Sequence, residues 1–284
     1  MNKTNEVLLV DIDEDRFSFG ANWANYLNTL DDDKIENAAM SMKKMLGMEN
    51  LVEKKFLDIG SGSGIHSLVA RRLGASVVSL DYDKQSVNCT SYLKKKFYPN
   101  DMDWEVLQGS ALDEKFIRSL GQFDIVYSWG VLHHTGNMYK ALENADFPVK
   151  DNGILFLSIY NDQGPWSTYW KFVKKSFNKN PLYRFFIKLF FIIFFTVKGA
   201  IKDIFLLKNP FKRYSDYKLK RGMTIYYDLI DWIGGYPFEV AKPEEIFDYY
   251  FSKGYSLNKL KTCGGGFGCN EFVLQKNKTN LIED

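Results

Sequence analysis

Leu57-Asp58-Ile59-Gly60-Ser61-Gly62-Ser63-Gly64 is the stretch that decides the fold. Residues 54–60 (KKFLDIG) form an apolar run that ends in glycine, the pattern of a β-strand, and Ile65 to Leu73 behind the glycines has helical spacing. The glycines permit positive φ and let the backbone approach a ligand closely. Residues 75–81 (ASVVSLD) make a second strand, and its last residue, Asp81, stands where a carboxylate can hold two ribose hydroxyls. Together these features predict a nucleotide-type cofactor at the carboxyl ends of parallel strands. The spacing is Gly-x-Gly-x-Gly, not the Gly-x-Gly-x-x-Gly of dinucleotide sites. Asp58 would repel a pyrophosphate but suit a cation or an amino group.

Working outward, strands at 104–108, 123–128 and 153–160 alternate with helices at 83–96 and near 137–145. Strand–helix alternation at this spacing implies βαβ units with right-handed crossovers. A helix at 243–254, with Pro243 at its start and Gly254 at its end, precedes strands near 255–261 and 270–275 that can close as an antiparallel hairpin. The expected fold is a doubly wound, Rossmann-like α/β domain. Its seven-stranded sheet is mostly parallel with an antiparallel last strand, and N-terminal helices and an inserted helical lid are added. The expected organisation is a helical cap over 1–52, a cofactor-binding core over 53–160, an aromatic and basic lid over 161–242, and the closing helix and hairpin over 243–284. The lid follows from length, because 82 residues far exceed a usual crossover.

An acid before Gly-x-Gly-x-Gly, with a second acid ending the next strand, resembles the class I S-adenosylmethionine-dependent methyltransferases. The resemblance covers residues 53–160 and resumes at 243–276. It implies methyl transfer from S-adenosylmethionine, with S-adenosylhomocysteine as product. It places Asp58, Gly60, Gly62 and Gly64 along the methionine moiety and Asp81, followed by Tyr82, at the ribose. Ser110 and Ala111 come to the adenine, and Ser128 and Trp129 close over the methionine part. The family often has Asp at the position of Ser110.

Of three histidines, His133 and His134 follow the fourth strand, at the sheet end where ligands bind. Either suits removal of a proton from a hydroxyl, and His66, in the helix after the glycines, reads as structural or cofactor-adjacent. The Leu-His-His stretch also resembles the quinone-precursor O-methyltransferases, which carry Glu-x-x-Glu-His here. Gly130 and His133 replace the two acids, so no metal is carried over and His134 alone matches. Tyr160, Asn161, Asp228, Asp231 and Glu239 are acceptor-contact candidates, each with a loop or turn alternative. Cys263 and Cys269 lack the spacing and partners of a zinc site and read as buried structural thiols.

The 284 residues carry 37 Lys+Arg against 35 Asp+Glu, a net charge of +2 that excludes a uniformly basic nucleic-acid binder. Residues 171–220 alone hold 13 Lys+Arg and two acids, a surplus of +11, so the remainder carries −9. Residues 181–197 (PLYRFFIKLFFIIFFTV) hold six Phe. Such a helix either covers an apolar pocket or lies on an anionic membrane surface. Three cysteines suggest reduced thiols and a cytoplasmic, possible peripheral-membrane location, with no ordinary membrane span. The expected reaction is O-methylation of a small lipophilic or lipid-linked metabolite. The first alternative is nucleic-acid methylation, with the basic stretch 171–220 as a phosphate track through Lys174, Lys175, Lys212 and Arg213. The second is a non-catalytic module that binds the cofactor and recruits partners through the aromatic insertion.

Overall fold

In the computed structural model, residues 16, 17, 19–207, 209 and 225–278 are described. The element order is α1 (Gly20–Leu27), α2 (Asp32–Leu46), β1 (Lys55–Ile59), α3 (Ile65–Arg72), β2 (Ser76–Asp81), α4 (Lys84–Phe97), β3 (Trp104–Gln108), α5 (Glu114–Ser119) and β4 (Phe123–Trp129). A 3₁₀ turn (Leu132–His134), α6 (Met138–Asp146), β5 (Val149–Tyr160), α7 (Pro165–Lys179) and α8 (Pro181–Phe205) follow. The described chain closes with α9 (Ile225–Gly234), α10 (Pro243–Phe251), β6 (Tyr255–Lys261) and β7 (Cys269–Lys276).

The seven strands form one sheet in the order β3-β2-β1-β4-β5-β7-β6. β1 pairs in parallel with β2 and β4, and β7 runs antiparallel to both β5 and β6. The order reverses between β1 and β4, so a crevice opens at their carboxyl ends, where open α/β sheets bind ligands. The helix α5 fills the short link between β3 and β4, which sequence patterning leaves unassigned.

Alternation along the strands builds two layers. Leu57, Ile59, Leu155 and Leu157 face one side with Leu142, Ile246 and Tyr250. Phe56, Tyr127, Phe156 and Val273 face the other, against Met42 and Leu46 of α2 and Leu68 of α3. Both faces of the central strands are therefore buried, as a parallel sheet requires. Local chemistry fixes the ends. Asp31 caps α2 by accepting from the Lys34 amide (2.9 Å), and Gly47 ends it at φ +69°. Pro243 opens α10, where the Glu245 carboxylate accepts from the Lys242 amide (3.0 Å).

The helices between β5 and α10 have their own apolar cluster, with Trp170, Val173 and Phe177 of α7 packed on Phe191 of α8 and on Ile233 and Phe238. Lys174 is fully buried inside it. Its Nζ donates to the Trp232 carbonyl and lies 4.7 Å from the Phe238 ring centre. Asn178 Nδ2 donates to the Gly234 carbonyl at 2.6 Å. These two α7 side chains satisfy carbonyls at the end of α9 that no further helical turn reaches. Among the described residues no helix is long and apolar enough to cross a membrane.

Candidate functional site

The glycine turn follows directly from β1. The Gly60 and Ser61 amides donate to the Leu80 carbonyl at 2.7 and 2.9 Å, which folds the turn back onto β2. Gly60 and Gly64 take φ +81° and +82°, a region that penalises any Cβ. The Gly62 amide, at the apex, donates to Asp81 Oδ2 (2.9 Å), and the Asp83 amide donates to Asp81 Oδ1 (2.9 Å). Each carboxylate oxygen of Asp81 thus has one backbone donor and keeps lone pairs for further hydroxyls. Burial pushes its carboxyl up to about 6, against the lowering effect of the two amides.

Over this turn lies a cavity of about 1810 Å³. Its lining includes Gly60, Gly62, Asp81 and Ser110 from the sheet, and Trp170, Phe195, Trp232 and Phe267 from the insertion and the β6–β7 loop. Ligand pockets usually run about 300–1,000 Å³, so this one has room for two ligands side by side. His134 lines it, with its Nδ1 2.7 Å from the Pro237 carbonyl. A carbonyl only accepts, so Nδ1 carries the proton and Nε2 holds a lone pair. Burial pushes this imidazole down to about 3, which keeps it neutral.

Residues 33–190, more than half of the chain, match a family model described as a methyltransferase domain. The chain belongs to that family. The fold is that of the class I S-adenosylmethionine-dependent methyltransferases, and the crevice over the glycine turn is where their cofactor fits. Ubiquinone biosynthesis O-methyltransferase of Pelagibacter ubique (strain HTCC1062) is 29% identical over 126 residues, 44% of this chain and 50% of that one. Ribosomal protein L11 methyltransferase of Prochlorococcus marinus (strain AS9601) is 35% identical over 124 residues, 41% of this chain and 39% of that one. The matched stretches therefore span half or less of these relatives' own length. Magnesium protoporphyrin IX methyltransferase from Synechocystis PCC 6803, solved with bound SAH, superposes with a TM-score of 0.53 at 12% identity. That alignment covers 90% of this chain and 95% of that one and speaks for the fold.

Of the residues the sequence reading singles out, Gly60, Gly62, Asp81, Tyr82, Ser110, Ala111, Trp129, His134, Tyr160 and Asp231 line the cavity. Several other expected contacts do not. Asp58 shares its strand face with Phe56 and so meets α3 instead of the crevice. Trp104 Nε1 donates to Ser79 Oγ (2.8 Å), Ser79 to Ser67 Oγ (2.7 Å), and Ser67 to Asp58 Oδ2 (2.5 Å). This buried chain ties β3, β2, α3 and β1 together and makes Asp58 a framework residue. Gly64 meets Thr90 of α4, and Ser128 Oγ donates to the Ile59 carbonyl (3.0 Å), tying β4 to β1. His133 is fully buried, and its Nδ1 accepts from the Tyr160 amide at 3.3 Å, so it cannot meet an acceptor. Asn161 bonds Asn270 (3.0 Å) and latches β5 to β7. Glu239 accepts from the Met138 amide (3.1 Å) at the start of α6. The Asp228 side chain lies outside the described residues. Cys263 and Cys269 are half-buried, and Cys269 lines the cavity, which corrects the buried-thiol reading.

Trp23, Arg16 and Phe19 also line the cavity, and sequence reading does not single them out as contacts. Trp23 of α1 packs on Gly62, whose Cβ would stand 3.1 Å from the indole. Arg16 lies 4.6 Å from the Tyr82 ring centre, and Phe19 lies 4.9 Å from the His134 ring. The α1 start is docked by its Gly20 amide on Asp83 Oδ2 (3.2 Å). His66 also lines the cavity, pushed down to about 4 by burial. Asn22 Nδ2 donates to Asp231 Oδ1, which fixes that carboxylate at the wall. Among the described residues no three His, Cys, Asp or Glu side chains come together as a metal site.

The Asp58 carboxyl is pushed up to about 7 by burial, from an ordinary value of 3.8. A raised carboxyl stabilises the fold below its unfolded value and loses that contribution as pH rises through the folded one. The ionised form then costs on the order of 4 kcal/mol. Asp58→Asn cannot ionise. Its melting temperature relative to wild type is therefore expected to rise between pH 5 and 8, and a constant difference in thermal melts would show that Asp58 does not titrate.

Proposed function

We propose that this enzyme transfers a methyl group from S-adenosylmethionine to a hydroxyl of a small lipophilic or lipid-linked acceptor, with His134 taking the proton. The observation that carries this reading is the fixed tautomer of His134, which presents an unprotonated Nε2 on a ring that lines the cavity. S-adenosylmethionine, when bound, supplies the methyl group on a sulfonium sulfur. The glycine turn at Gly60 and Gly62 would receive its methionine part, Asp81 the ribose hydroxyls, and Ser110 and Ala111 the adenine. Trp129 would cover it, while Tyr160 and Asp231 would contact the acceptor.

The residues then have three tasks. The aromatic walls, Trp170, Trp232 and Phe267 among them, exclude water and favour an acceptor with a large apolar surface. Alignment of the acceptor oxygen supplies much of the rate. As its bond to carbon forms, that oxygen becomes strongly acidic, so a weak but neutral imidazole suffices to accept the proton. Lys174 is buried and cannot reach a phosphate, so a nucleic-acid track would have to run through exposed residues such as Lys175. Lys212 and Arg213 lie outside the described residues.

The test incubates the full chain and methyl-labelled S-adenosylmethionine with the lipid fraction of a cell extract. Label is expected in a base-stable, organic-soluble product. Label in the protein or nucleic-acid fraction would replace this acceptor class, and cofactor binding without any turnover would leave the non-catalytic module. A second measurement concerns Asp81, whose carboxyl sits at about 6. An ionised carboxylate accepts ribose hydroxyls best, so affinity for S-adenosylhomocysteine is expected to fall about tenfold between pH 7 and pH 5. Calorimetry of Asp81→Asn should show weaker binding with no such slope. A retained slope would move the titration to another group.

A further inference from the structure

The helix α8 is apolar on two sides, because Phe191, Ile187 and Phe195 pack inward while a second apolar stripe faces out, where a surface helix usually carries charge. Leu182, Phe186, Leu189, Ile193, Val197 and Ile204 are each 44–64% exposed. At 3.6 residues per turn they fall within about 80° of arc. Arg184, Lys188, Lys198 and Lys202 take the opposite side. Arg184 lies 5.7 Å from the Phe177 ring centre of α7, Lys188 lies 5.3 Å from that of Tyr226 in α9, and Lys198 lines the cavity. The cations thus share the side of the helix that packs on α7, where Arg184, Lys198 and Lys202 stay exposed at its edges, and the apolar stripe faces outward. Beside it, α7 exposes Lys171, Lys175 and Lys179, four residues apart, together with Phe172. Between Gly164 and Leu207 the one acid is Asp203, which is buried.

We propose that α8 lies flat in the interface of an anionic phospholipid bilayer, its outward stripe among the acyl chains and the α7 lysines against the headgroups. An outward apolar stripe beside basic residues, on a helix that is not apolar enough to cross a membrane, is the pattern of an interfacial helix. Charge selects this occupant over the others. A second copy of the chain would bring lysines against lysines, and a nucleic acid would match the lysines but not the apolar stripe. Anionic headgroups above acyl chains match both. The inner side of the same helix, through Ile192 and Phe195, lines the cavity. Docking therefore sets the cavity about one helix diameter, roughly 10 Å, from the lipid. The docking itself does not rest on the proposed reaction.

Vesicle flotation of the full chain tests this, with phosphatidylcholine alone and with added phosphatidylglycerol. At low salt the protein is expected to float with the anionic vesicles and to lose about tenfold in bound fraction at high salt or without phosphatidylglycerol. The double variant Phe186→Ser, Ile193→Ser should lose flotation by a similar factor and keep its melting temperature, because both side chains are already outside the core. The pair Lys171→Glu, Lys175→Glu should lose the preference for phosphatidylglycerol. Failure of the wild type to float at low salt would overturn the proposal, as would unchanged flotation of the serine variant. A concentration-dependent dimer in ultracentrifugation, abolished by the serine changes and without vesicle binding, would assign the face to a second copy.

Discussion

Replacing His134 by alanine is expected to lower turnover by about 10²–10⁴-fold while affinity for S-adenosylhomocysteine stays unchanged. The imidazole is held at three points. Its Nδ1–H donates to Pro237, Phe19 packs at 4.9 Å, and Gly235 leaves so little room that its Cβ would stand 3.1 Å from His134 Cε1. A ring fixed this way loses no orientation when an acceptor arrives, and its loss removes the proton acceptor without touching the glycine turn. His134→Gln separates the roles, since its amide can still donate to Pro237 but offers no basic nitrogen. Activity retained in the Gln variant would reduce His134 to a packing residue. The pH profile adds an independent check. With the ring pushed down to about 3, kcat should show no histidine limb between pH 5 and 8, while the donor KM should rise as Asp81 protonates near 6. A kcat limb near the ordinary histidine value would contradict the buried neutral imidazole.

The second large effect is expected from Gly60→Ala. The residue sits at φ +81°, and an added Cβ would stand 2.3, 2.4 and 2.8 Å from three side-chain atoms of Val131. Backbone strain of about 1–3 kcal/mol and a comparable overpacking cost add to about 2–6 kcal/mol. Against a typical stability of about 5–15 kcal/mol, this variant should lose a large fraction of its stability. Urea unfolding measures it. Combining Gly60→Ala with Val131→Ala removes two of the three clashing atoms and should recover the overpacking part alone. A loss below about 1 kcal/mol in the single variant would show that the turn relaxes freely and that glycine serves ligand approach only. Gly64 differs, because its Cβ would meet the Thr90 Cα at 2.8 Å, where no side-chain truncation gives relief.

The glycines show where local reasoning and tertiary structure part. A glycine-rich turn after a strand announces a close approach, but not of what. Here Val131, Trp23 and Thr90 are the approaching groups at Gly60, Gly62 and Gly64. Ligand access is left to the backbone at Gly60 and Gly62 on the cavity side. Asp58 and His133 fail as contacts for a related reason. Their sequence positions are those of site residues, but pleat parity turns Asp58 toward α3, and the turn after β4 sends one of two adjacent histidines inward. Nothing in the local sequence says which of the two faces the cavity.

Alternation of apolar runs with amphipathic stretches, the glycine turn and Asp81 were enough to determine the parallel sheet, its closing hairpin and the cofactor end of the crevice. These depend on periods of two and 3.6 residues and on short turns, which are local. The end of the crevice where we propose the acceptor binds depends on the tertiary structure. It is assembled from α1, the turn after β4, β5, three helices of the insertion and the β6–β7 loop, whose side chains meet across separations such as that between His134 and Pro237. Long-range packing sets those meetings. The same packing turned the apolar stripe of α8 outward, although its composition alone fits a buried lid equally well.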